Sequence, residues 1–87
     1  RWGARRGVLL AEDDPVSALL ARAVLENAGF RVSLAEDGGK AVQLWKPGEY
    51  AFVLSDMRMP VMSGLDLARE IREREQASGS RTPIILL

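Results

Sequence analysis

Two groups of carboxylates stand where this chain could do chemistry. Glu12-Asp13-Asp14 follows the apolar run Val8-Leu9-Leu10-Ala11, and Asp56 follows the run from Ala51 to Leu54 and Ser55. Short apolar runs bounded by turn signals predict buried parallel strands. The carboxyl ends of such strands face the ligand crevice of an open α/β sheet. Neighbouring strands lie about 4.8 Å apart, so Asp13 and Asp56 can share one ion. Clustered carboxylates repel one another, and their pKa values rise unless a cation neutralises them. A hard cation with oxygen ligands suits such a cluster. Mg²⁺ typically takes one or two carboxylates, several waters and phosphate oxygens of a substrate, and a backbone carbonyl just after Asp56 could complete the protein's share. Each group also has a plainer explanation. Acids ahead of Pro15 serve as helix N-cap and complement the helix dipole, which is all that Asp14 is expected to do, and an Asp after a strand is ordinary turn chemistry. Capping accounts for the first group. It does not account for a second buried strand that also ends in Asp, followed by Met57-Arg58-Met59-Pro60.

The elements that must position these acids follow from the apolar pattern. Val8 to Ala11 reads as a first buried strand. Pro15 suits the first position of a helix, in which Val16, Leu19, Leu20, Ala23 and Val24 recur at helical spacing and predict the buried face, with Gly29 at the C-terminal end. Arg31-Val32-Ser33-Leu34-Ala35 alternates, as a strand near a sheet edge does. Glu36-Asp37-Gly38-Gly39 reads as a turn, Lys40 to Lys46 as a short helix with Ala41, Val42, Leu44 and Trp45 inward, and Pro47-Gly48 as its stop. The strand Ala51 to Ser55 comes next. A helix from Leu65 to about Gln76 buries Gly64, Leu67, Ala68 and Ile71 and carries the i,i+4 pairs Arg69/Glu73 and Glu70/Arg74 on its solvated side. After the loop Ala77 to Ser80, Thr82-Pro83 leads into a fourth buried strand, Ile84 to Leu87. Strands alternating with helices at this spacing predict a parallel sheet wound by right-handed crossovers.

Composition narrows the function classes. The chain has 87 residues, 47% of them hydrophobic, with formal net charge zero. That is one small globular domain, and zero net charge gives no general argument for nucleic acid or a membrane surface as partner. There are no Cys and no His residues, so disulfides, thiolate metal sites and histidine acid–base catalysis are excluded within this chain. No apolar run approaches the roughly 20 residues that span a bilayer. The start, Arg1 to Gly7, lacks the apolar stretch of a signal peptide and reads as a linker or remnant. A cytoplasmic protein is the expectation. Ile84 to Leu87 would be an exposed pairing template if nothing covered it, so the domain is expected to continue past Leu87, and residues 8–87 are expected to be an incomplete part of it.

Taken together, Val8 to Pro15, Leu54-Ser55-Asp56-Met57-Arg58-Met59-Pro60, Ser63-Gly64 and Pro83-Ile84-Ile85 resemble the receiver domain of two-component response regulators, in register from Val8 to Leu87. The D-x-x-M-P-x-x-x-G stretch, Asp56 to Gly64, carries most of the specificity. The resemblance implies an α/β fold of the flavodoxin-like doubly wound type, with strand order 2-1-3-4 and a fifth strand beyond these residues. It implies that Asp56 is the phosphoacceptor, receiving a phosphoryl group from the phosphohistidine of a histidine kinase or a His-containing phosphotransfer domain. Asp13, Asp56 and the backbone carbonyl of Arg58 would bind Mg²⁺, with Mn²⁺ as a substitute, and Glu12 would act through metal-bound water. Met59, Pro60 and Gly64 would shape the loop. The family's Thr or Ser after the fourth strand and Lys after the fifth would lie beyond Leu87, because Lys40 and Lys46 are the only lysines and both belong with the second helix. The family's switching and dimerisation face would lie there too, and homodimers are expected of it.

Two other functions fit the acids. A degenerate receiver would act only as a protein-binding module, against which the intact Glu12, Asp13 and Asp56 argue. A metal-dependent phosphohydrolase also uses an Asp nucleophile, but such enzymes usually carry a second Asp two residues later, where this chain has Arg58. The charged third helix and the Ser-Gly loop resemble receivers attached to hybrid histidine kinases, whose parent chain can be membrane-anchored. A response regulator with an output domain is the alternative context.

Overall fold

Seven elements alternate along the chain in a computed structural model that describes residues 6–87. They are β1 (Gly7–Ala11), α1 (Pro15–Asn27), β2 (Arg31–Ala35), α2 (Gly38–Leu44), β3 (Tyr50–Ser55), α3 (Gly64–Ser78) and β4 (Ile84–Leu86). The expected linker, residues 1–7, lies outside the described residues except at its end, where Gly7 is already part of β1. Among the described residues, no helix is long and apolar enough to cross a membrane.

The strands form one sheet in the order β2-β1-β3-β4, and all three pairings are parallel. From β1 the chain moves one way to β2 and then back past β1 to β3 and β4. Right-handed crossovers therefore place α1 on one face and α2 and α3 on the other. This is the expected doubly wound arrangement. β1 is buried along its whole length, which explains its unbroken apolar run. Its alternate side chains serve the two faces. Leu9 and Ala11 join Val53, Ala41, Val42, Trp45, Leu67 and Ile71 in the main core.

The helices begin and end where local chemistry directs. Asp14 caps α1, its Oδ2 accepting the Ser17 amide at 2.8 Å. Asp37 caps α2 by accepting the Lys40 amide at 2.8 Å, so this helix starts at Gly38, inside the expected turn, and ends before Trp45. Trp45 is buried, while Leu44, expected inward, is 41% exposed. Ser63 and Asp66 form a reciprocal capping box at the start of α3, which runs two residues further than expected. On its outer side Arg74 pairs with Glu70 as expected, whereas Arg69 pairs with Asp66 instead of Glu73.

One expected face is reversed. Val16, Leu19, Leu20 and Val24 are 66, 68, 63 and 69% exposed, whereas Ala18 is buried and Ala21 and Leu25 are half-buried. Residues 18, 21 and 25 form the inward stripe. α1 is apolar on two sides, and periodicity picks out the side with the larger side chains. The inward stripe is thus two alanines and a leucine, and Ala23, also expected inward, is exposed. β4 also differs from expectation. It is the sheet edge among the described residues, and Ile85 is 46% exposed.

Candidate functional site

The sheet register brings the acids together. Ala11 lies opposite Ala35 on one side and Ser55 on the other. Beyond this row, the Asp56 amide donates to the Ala11 carbonyl at 3.0 Å, and the Glu12 amide donates to the Ala35 carbonyl at 3.0 Å. The ends of β1 and β3 are thus level. Glu12, Asp13 and Asp56 each present a carboxylate oxygen, and these oxygens lie within 4.8 Å of one another. Asp13 is exposed, and Glu12 and Asp56 are half-buried. Asp14 turns away to cap α1, as the sequence predicts.

Backbone amides hold the acids in place. Glu12 accepts the Asp14 amide at 3.1 Å, and Asp56 Oδ1 accepts the Arg58 amide at 3.1 Å. Burial raises the Glu12 pKa above its ordinary value. The Asp14 amide opposes this rise, while repulsion from Asp56, Asp13 and Asp14 adds to it. A divalent cation would relieve that repulsion. The donor set is all carboxylate, without nitrogen or sulfur, and so fits a hard ion such as Mg²⁺.

The loop after Asp56 is tightly folded. The Met57 amide donates to the Leu87 carbonyl at 2.8 Å, the Gly64 amide to the Met57 carbonyl at 2.9 Å, and the Met62 amide to the Pro60 carbonyl at 2.7 Å. That last bond closes a three-residue turn around Val61, whose φ of 69° is uncommon for a β-branched residue. Met59 is buried in the core. At Gly64 a Cβ would lie 2.5 Å from the Asp56 carbonyl oxygen, so only glycine permits this approach. Met59, Pro60 and Gly64 therefore occupy the loop the sequence assigned them to. Ser55 escaped notice there. It is fully buried, and its hydroxyl donates to the Asp56 carbonyl at 2.9 Å. A serine inside an apolar strand, directly before the key acid, was the available signal. Lys40 pairs with Glu36 at 3.0 Å, in line with its assignment to the second helix.

A family model described as the response regulator receiver domain matches residues 8–87. The chain belongs to that family. Among its relatives is the aerobic respiration control sensor protein ArcB of Escherichia coli, 46% identical over 67 residues, which are 77% of this chain and 9% of ArcB. This receiver sequence thus spans under a tenth of that relative's length. The receiver domain of sensor histidine kinase PA1611 from Pseudomonas aeruginosa, solved with a magnesium ion coordinated in the active site cleft, is 40% identical with a TM-score of 0.85, over 95% of this chain and 66% of that one. A chain from the complex of the Saccharomyces cerevisiae phosphotransfer protein Ypd1 with the receiver domain of Ssk1 matches with a TM-score of 0.80 and 30% identity, over 94% of this chain and 61% of that one. These comparisons agree with the flavodoxin-like fold and with a receiver of two-component signalling.

Proposed function

We propose that Asp56 is the phosphoacceptor of this receiver and that Glu12, Asp13 and Asp56 hold the Mg²⁺ its phosphorylation needs. The observation that carries this reading is the convergence of three carboxylate oxygens within 4.8 Å at the level ends of β1 and β3. Asp13, Asp56 and the Arg58 carbonyl would hold the ion directly, and Glu12 would act on it through water. Mn²⁺ can replace Mg²⁺, since both favour oxygen ligands.

In the transfer, an Asp56 carboxylate oxygen forms a bond to phosphorus as the phosphorus–nitrogen bond of a phosphohistidine breaks. The departing imidazole keeps that electron pair. Phosphoryl transfer is governed by positioning and by neutralising charge on the equatorial oxygens. When bound, the metal supplies this neutralisation. The chain's own part is to orient Asp56 through the Arg58 amide and to keep Gly64 clear of its backbone. The donor is a histidine kinase or a His-containing phosphotransfer protein, by analogy with the Ypd1–Ssk1 receiver complex. Residues 8–87 serve as the receiver module of a longer signalling protein in the cytoplasm. A sensor kinase is the favoured parent, given the likeness to the PA1611 receiver.

An NMR titration with Mg²⁺ tests the site. The amides of Asp13, Met57 and Arg58 are expected to shift together and saturably, and Asp13→Asn or Asp56→Asn to weaken binding at least tenfold, since losing even an outer-shell partner of a metal ligand costs about that much. Shifts scattered over the surface, or unchanged affinity in both variants, would sink the assignment.

A further inference from the structure

Away from the acids, a buried carboxylate grips the segment that leads into β4. Glu75 lies in the last part of α3 and is 4% exposed. Its Oε2 accepts the Thr82 amide. Its Oε1 receives Arg72 Nη1 at 2.6 Å, and the same Nη1 donates to the Thr82 carbonyl at 2.9 Å. The Thr82 hydroxyl lies 3.4 Å from the indole nitrogen of Trp45, which donates to it. Both backbone polar groups of Thr82 and its side chain are therefore held by α3 and by the end of α2. Gly79, at φ 77°, turns the chain sharply enough for Thr82 to fold back onto α3. A buried carboxylate is costly unless it is paired and hydrogen-bonded, and nothing in phosphoryl transfer at Asp56 uses this one.

β4 has three residues, and so short a parallel ladder specifies its own register weakly. Its two ends are nonetheless firmly placed. At the near end the Val53 amide donates to the Pro83 carbonyl at 2.8 Å, next to the gripped Thr82. At the far end the Leu87 amide donates to the Ser55 carbonyl at 2.9 Å, and the Met57 amide donates to the Leu87 carbonyl at 2.8 Å. Those partners flank Asp56. Five residues of extended chain thus join the grip on Thr82 to the backbone on either side of the phosphoacceptor.

We propose that Glu75 is a positioning residue for the Asp56 loop: by holding Thr82 it fixes β4 along β3, and β4 holds the Met57 amide beside Asp56. This rests on the assignment of Asp56 as phosphoacceptor only for its consequence in function. The mechanical link stands on the hydrogen bonds alone. Arg72 is the second half of the grip. Its Nη1 alone bridges the carboxylate and the carbonyl, and a lysine would bring a compact, more strongly hydrated ammonium there in place of the planar guanidinium.

The test compares amide hydrogen exchange and Mg²⁺ affinity in the protein at its full natural length, for the wild type, Glu75→Gln and the conservative Thr82→Ser. In Glu75→Gln, without Mg²⁺, the Met57 and Leu87 amides are expected to exchange faster, while the Glu12 amide, bonded to Ala35 across β1 and β2, stays at its wild-type rate. Mg²⁺ affinity should fall by about two- to thirtyfold, the usual reach of mutations along a coupling network. Thr82→Ser should leave both unchanged. Should Glu75→Gln fail to fold, Arg72→Lys at the half-exposed end of the grip gives the same readout. Equal acceleration at Glu12 and Met57, or acceleration confined to Thr82, would overturn the proposal. Failure of the wild type to bind Mg²⁺ would instead overturn the metal assignment, with the exchange data still deciding the link from Glu75.

Discussion

Asp56 and its neighbours can serve a cation because the level ends of β1 and β3 hold their carboxylate oxygens together, and Glu12 shows the strain of that arrangement. Its pKa is raised by burial and by three nearby acids. A carboxylate with a raised folded pKa disfavours folding while ionised, and that penalty disappears as pH falls through the raised value. Binding of a cation has the opposite sense, because it favours the ionised form. Mg²⁺ affinity is therefore expected to fall as pH drops through the raised Glu12 pKa, above the ordinary 4.5, and Glu12→Gln should flatten that part of the profile. Calorimetric Mg²⁺ titrations across pH give the answer, and an identical pH slope in both proteins would contradict it. Glu75 runs the other way. Burial works against its ionisation, but the Thr82 amide and hydroxyl and the Arg72 guanidinium outweigh burial and lower its pKa. The contribution of Glu75 to stability is present above its ordinary value and is lost as pH falls through the lowered one. Glu75→Gln should cost about 1.5–3 kcal/mol near neutral pH, as for other charge-assisted hydrogen bonds, and less in acid. Urea midpoints at pH 7 and in acid would show this, and a loss independent of pH would refute it. Of these residues, the sequence marked Glu12, Asp13 and Asp56 because acids ending apolar runs are conspicuous. It did not mark Glu75, which sits among the alternating charges of Arg72, Glu73 and Arg74 and is singled out only by its burial.

Elements were legible where the apolar pattern of the chain matches the pattern of burial. β1 and β3 read correctly because central parallel strands are apolar throughout, and α3 because its polar and apolar sides differ sharply. α1 misled because it is apolar on both sides: Ala18, Ala21 and Leu25 face the sheet and Val16, Leu19, Leu20, Ala23 and Val24 face outward. α2 began earlier than expected because the Asp37 cap overrides the turn preference of Gly38 and Gly39. The junction of β3 with α3 gives a further prediction. Gly64 opens a helix, where alanine usually stabilises by about 0.5–1 kcal/mol. A Cβ there would meet the Asp56 carbonyl at 2.5 Å and the Met57 Cα at 3.0 Å. These are backbone atoms and cannot swing aside, so Gly64→Ala should destabilise by about 1–3 kcal/mol, as overpacking does. Thermal melts of the variant decide the sign, and a raised Tm would show that the loop yields more easily than its hydrogen bonds suggest.

Across the whole molecule, the parallel sheet with helices on both faces followed from alternating strands and helices and from the handedness of crossovers. The strand order β2-β1-β3-β4 was implied by likeness to receivers, since no local pattern fixes which strand pairs with which. That order is what makes the chemistry: it sets β1 beside β3 with level ends, so acids 44 positions apart in the chain come within 4.8 Å. The central claim is that this edge accepts a phosphoryl group on Asp56. Intact mass spectrometry after incubation with Mg²⁺ and acetyl phosphate tests it most directly, on the protein at its full natural length. The account predicts a gain of one phosphoryl group that is lost with a chelator and absent in Asp56→Asn. No gain in the wild type, or an equal gain in Asp56→Asn, would contradict it.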